Sequence, residues 1–150
     1  MSKKTRSLVI VILLAGLLTA CSVSGETPVT PTPELYVVDR GGLIDALNAA
    51  DAVRGVEDPV KHEFFSAEGQ TVTVRESEIV VFEYDSNEAM EADASLVAAD
   101  GGSIGTTIIA WESTPHFFKA GRIIVLYIGD DAEMLSQLQS LLGSQFAGLK

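Results

Sequence analysis

Arg122-Ile123-Ile124-Val125-Leu126-Tyr127-Ile128 decides how the chain folds. Its side chains are apolar at successive positions, so both faces of an extended segment must be covered, which predicts a central strand. Downstream, Asp130 or Asp131 is placed to cap a helix. Met134, Leu135, Leu138, Leu141 and Leu142 form its apolar stripe, and Gly143 ends it. Upstream, Glu112 to Ala120, with Pro115, reads as a connection, and Ile104 to Trp111 as a strand with Thr107, Ile109 and Trp111 on one side.

Further back, Gln70–Arg75, with Val72 and Val74 between threonines, and Ile79–Tyr84 predict a hairpin across Glu76-Ser77-Glu78. A helix follows, with Asp85 as N-cap and Glu88 at its third position. Ala89, Leu96 and Val97 are candidates for its buried face, and Gly101-Gly102 for its end. Asp39 is placed to cap an earlier helix striped by Leu43, Ile44, Leu47 and Ala50, and Pro59 argues against regular structure around it. The expected fold is α+β: a mainly antiparallel sheet of about four strands, with two to three helices packed mostly on one face. Ile79–Met90 and Ile123–Met134 share a register of strand, cap and methionine. That pattern fits an old duplication, or the likeness of any two strand-helix units.

The N-terminal segment has its own logic. Lys3, Lys4 and Arg6 precede an apolar run from Leu8 to Leu18, too short to cross a bilayer, and small residues lead to the single cysteine. Leu18-Thr19-Ala20-Cys21 resembles the lipobox of bacterial lipoprotein precursors. The resemblance implies cleavage before Cys21 and a diacylglyceryl thioether on its sulfur. Ser22 at the next position gives no sign of the Asp-type inner-membrane retention signal. Residues 1–20 are then a signal peptide, 21–34 the lipidated cysteine and its linker, and 35–150 one globular domain, held at the membrane and facing the exterior or periplasm. In the linker Pro28, Pro31 and Pro33 alternate with threonines, which favours a stiff extended tether of roughly 40 Å. Trp111, Pro115-His116-Phe117 and Gly121-Arg122 running into the central strand are similar to a pattern in small bacterial lipoproteins, a likeness that brings no activity with it.

Charge excludes one class of partner. The chain has ten basic and 21 acidic side chains. Removing residues 1–20 takes away three basic ones, leaving seven against 21, or −14. Nucleic acid needs clustered cations and none exist, so no nucleic-acid partner is expected. The same charge leaves acyl chains on Cys21 as the membrane attachment. One cysteine permits no internal disulfide, so stability must come from the core.

Motifs for chemistry are incomplete. His62-Glu63-Phe64-Phe65 starts like a zinc-protease helix, but Ser66 stands where the second histidine is needed. Asp100–Thr107 is glycine-rich but lacks a lysine and runs from helix to strand, the wrong direction for phosphate. Asp130–Glu133 lacks calcium-loop spacing, and no G-x-S-x-G elbow occurs. No catalytic residue, metal site or cofactor is expected. The candidate partner or ligand patch is Trp111, His116, Phe117 and Phe118, three aromatics and a histidine around one connection; the alternative is that they close one end of the core. The expected function is a non-enzymatic, lipid-anchored binding or accessory domain for an envelope protein or small solute. Its rivals are a carboxylate-based envelope hydrolase, with His116 as a further group, and a structural lipoprotein.

Overall fold

The computed structural model describes residues 37–148. The expected signal peptide, Cys21 and the expected linker lie outside the described residues. Along the chain come α1 (Arg40–Ala49), β1 (Val53–Val56), β2 (Val60–Lys61), β3 (Glu68–Val74), β4 (Ser77–Glu83) and α2 (Asn87–Ala94), followed by β5 (Ser103–Ile104), β6 (Thr107–Ile108), β7 (Pro115–Ala120), β8 (Ile123–Ile128), α3 (Ala132–Leu142) and β9 (Ala147–Gly148).

Seven strands make one antiparallel sheet in the order β1-β3-β4-β8-β7-β9. β2 also pairs with β3, beyond the end of β1. β5 and β6 form a separate small hairpin. The α+β class is as the sequence predicts, and β8 is central, flanked by β4 and β7. The main sheet is larger than four strands. Its additions are short edges: β1 has alternate residues exposed, and β2 and β9 are two residues each, too short to leave a periodic signal. Pro59 divides β1 from β2, since it cannot donate to a ladder. Two further expectations are corrected. The predicted strand from Ile104 to Trp111 is the β5–β6 hairpin followed by irregular chain. The predicted connection before β8 is strand β7, with Pro115 at its first position, where a missing N–H is tolerated.

Two of the three helices cover one face. α1 and α3 bury Leu43, Leu47, Met134 and Leu138 against Val72, Ile79, Val81, Val125 and Phe118. On the other face, α2 buries Met90 and Ala94 against Phe82, Ile124 and Phe117. Alternation along β8 divides the faces: Ile123, Val125 and Tyr127 point to α1 and α3, and Ile124 and Leu126 point away. Caps fix the helix starts. The Asp39 carboxylate accepts the Gly42 N–H at 2.9 Å, and Asp131 accepts from Glu133 at 2.8 Å and Met134 at 3.1 Å. For α2 the cap is Ser86, not Asp85, and Leu96 is exposed while Met90 and Ala94 are buried.

The repeated register has a structural counterpart that stops at the strands. Val81 lies opposite Val125, and a two-fold axis between them carries Ile79 onto Ile123. Such an axis normal to the sheet would keep the following helices on one face. Met90 and Met134 instead plug opposite faces. This favours two similar strands over a duplicated fold.

Candidate functional site

The two faces of the sheet are unequally covered, and the site follows from that. α2 has eight residues, about 12 Å of helix, whereas the seven-residue strands beneath it run for over 20 Å. It covers the end of the face holding Phe82 and Ile124. Where β4 begins and β8 ends, the same face stays open. Thr73, Glu78, Val80, Leu126 and Ile128 share that end by register. They floor a groove of about 660 Å³, walled by Ile109, Ala110, Trp111 and Glu112, with Glu76 and Ser77 at its end.

Trp111 is pinned in that wall. Its indole N–H donates to the Gly101 carbonyl at 2.7 Å, and its ring packs edge-on to Phe64 and Phe117, with centroids 6.3 and 6.0 Å away. These contacts hold one side of the ring to the core, leaving it half-buried with a surface on the groove. The chain reaches this position through the Asp100 turn, whose carboxylate accepts the Gly102 N–H at 2.9 Å. The glycine-rich stretch is thus the Asp100–Gly102 turn followed by β5 and the start of β6.

The other candidate patch residues do not join Trp111 on a surface. Phe117 (0% exposed) lies in the core under α2, and Phe118 (2%) in the core under α1 and α3. Adjacent strand residues point to opposite faces, so the pair cannot form one patch. His116 (4% exposed) stacks on Tyr127 and pairs through Nδ1 with the Gln145 amide oxygen at 2.8 Å. That oxygen only accepts, so Nδ1 carries the proton, and Nε2 is left without a protein partner. Beside it is a second cavity of about 320 Å³, lined by Phe118, Leu135, Gln139, Ser144 and Gln145. It lies across the sheet from the groove. The four-residue patch is therefore corrected: only Trp111 lines the groove, while His116 and Phe118 line the cavity on the opposite face and Phe117 lines neither.

The remaining sequence candidates have structural roles. His62 packs on Phe64 and Phe82, 5.2 Å from each, over Gly69, and burial lowers its pKa. Asp130 is held below the usual carboxylate range by hydrogen bonds from Thr114 and Ser113. Among the described residues, no group of three or more His, Cys, Asp or Glu is placed to hold a metal. The Tyr84 hydroxyl is buried, and burial first, then the Asp93 carboxylate beside it, pushes its pKa far above the ordinary 10.0. The folded state thus favours the neutral phenol. Its contribution is full below pH 10 and is lost as pH rises past the unfolded value. Thermal melts across pH 9–11 should show a loss of stability that is smaller in Tyr84→Phe; equal losses would remove Tyr84 as the cause.

Sequence reading missed the groove floor. One signal was present: Leu126 and Ile128 alternate with Val125 and Tyr127. No family model matches the chain, and no curated protein and no solved structure matches it either.

Proposed function

We propose that this is a lipid-anchored, non-enzymatic binding domain of the bacterial envelope, and that the half-covered sheet face beside Trp111 is its working surface. The groove carries the reading. It has the size of a ligand site, a partly apolar floor, a fixed aromatic wall and polar groups on its floor and edge. A purely structural spacer has no need of a half-open tryptophan beside a concave, partly apolar surface. The lipobox-like Leu18–Cys21 and the proline-rich tether support the anchorage. Among the described residues no helix is long and apolar enough to cross a membrane.

Two measurements test this reading. Mass spectrometry of the native protein should find a chain beginning at Cys21 with added lipid mass; an intact Met1 and no lipid would remove the anchor. Ile128→Arg, which fills the groove from its partly exposed floor, should abolish recovery of ligand from membranes with a melting temperature within a few degrees of the parent. Unchanged recovery by the folded variant would remove the groove as the binding surface.

A further inference from the structure

We propose that the groove takes an extended, basic segment of a protein partner, with apolar residues between its lysines or arginines. This inference rests on the groove being the binding surface. The first argument is charge. Glu76, Glu78 and Glu112 all line the groove, and among the described residues none of them is in an ion pair. The described residues include six cations, and five are committed elsewhere: Arg40 and Arg122 to Glu83, Arg54 to Asp51, Arg75 to Glu133, and Lys119 to Glu91. The sixth, Lys61, pairs across the ladder with Glu68, at the far end of β3 from Thr73. Among the described residues the groove thus has no countercharge, and a cationic ligand would supply one. It would lie beside the Trp111 ring, whose face also attracts a cation.

The second argument is shape. Val80, Leu126 and Ile128 offer an apolar floor between the carboxylates, which a bare cation would leave in contact with water. Apolar surface continues outside the groove on Ile108, 87% exposed at the open end of the β5–β6 hairpin and next to Ile109 of the wall, and Ile128 is itself 38% exposed. Contacts that run past the cavity favour a segment over a small solute.

Trp111 is the only tryptophan in the chain, so it reports occupancy directly. The test titrates full-length protein in nonionic detergent with a seven-residue peptide alternating Lys and Leu, read by Trp111 emission. Parallel titrations use the same peptide with Gln for Lys, and tetrapropylammonium. The peptide should change the emission and bind more weakly as salt is raised. Combining Glu76→Gln, Glu78→Gln and Glu112→Gln should weaken it by about tenfold or more. An equal charge change placed elsewhere, Asp45→Asn with Asp58→Asn and Glu63→Gln, should cost less than about threefold by screening. Equal loss in the two triple variants would show diffuse attraction and overturn the inference. So would equal binding of the Gln peptide, tighter binding of tetrapropylammonium, self-association in place of peptide binding, or no response in any titration. The groove reading fails separately, if Ile128→Arg leaves recovery of the native ligand unchanged.

Discussion

Phe117→Ala and Phe118→Ala are each expected to destabilise the domain by about 3–5 kcal/mol, the range for removing a buried phenylalanine side chain. Both rings are sealed, on opposite sides of β7. Phe117 is a wedge between Trp111, 6.0 Å away, and Phe146, 6.1 Å away, so its loss frees the wall of the groove as well as opening a cavity. Phe118 fills the core beneath α3, next to Leu138 and Val125, where the strand and the helix cap leave little room to collapse. A domain of this size is stable by about 5–15 kcal/mol, so either change removes a large fraction of the total. Urea denaturation should show the transition midpoint falling sharply for both. Wild-type stability with lost ligand binding would mean the rings face solvent after all.

Gly121→Ala is expected to cost about 2–5 kcal/mol, from two sources that add. The backbone at Gly121 has φ +52°, in the left-handed region, where a side chain costs about 1–2 kcal/mol. A methyl there would also overlap the carbonyl oxygen and Cα of Val38, a backbone neighbour that cannot rotate away, and overpacking of this kind costs about 1–3 kcal/mol. Val38 must stay where it is, because its carbonyl accepts the Arg122 N–H at 2.9 Å. Arg122 in turn reaches Glu83 at 2.9 Å and Asp39, the cap of α1, at 3.6 Å. One methyl therefore pushes on the seam joining the first helix to the β7–β8 turn. Gly105→Ala is the control: φ there is +60°, but nothing lies within 4 Å of an added Cβ, so only the conformational cost of about 1–2 kcal/mol should appear. Equal melting temperatures for the two variants would contradict the close approach of Val38.

These cases show what the sequence could carry. The continuous apolar run of β8 marks a central strand: β4 and β7 pair with its two edges, α1 and α3 cover one face, and α2 covers part of the other. Asp39, Asp131 and Gly143 declare helix ends because each does its work within four residues. The edges β2 and β9 were silent, since two residues have no period. β7 was masked by Pro115, which signals a break except at the start of a strand. The site depends on a comparison no local pattern contains: how long α2 is against the strands under it. His116 and the two phenylalanines misled because a dense aromatic cluster looks the same in sequence whether it closes a core or meets a partner.

Collisional quenching of Trp111 emission in the full-length protein tests the open, acid-lined groove most directly. Acrylamide and caesium should both quench, because the ring has a face on the groove and Glu76, Glu78 and Glu112 concentrate cations there. Iodide should quench several-fold less, because the same carboxylates repel it. No quenching by any of the three, or equal quenching by caesium and iodide at low salt, would contradict the account.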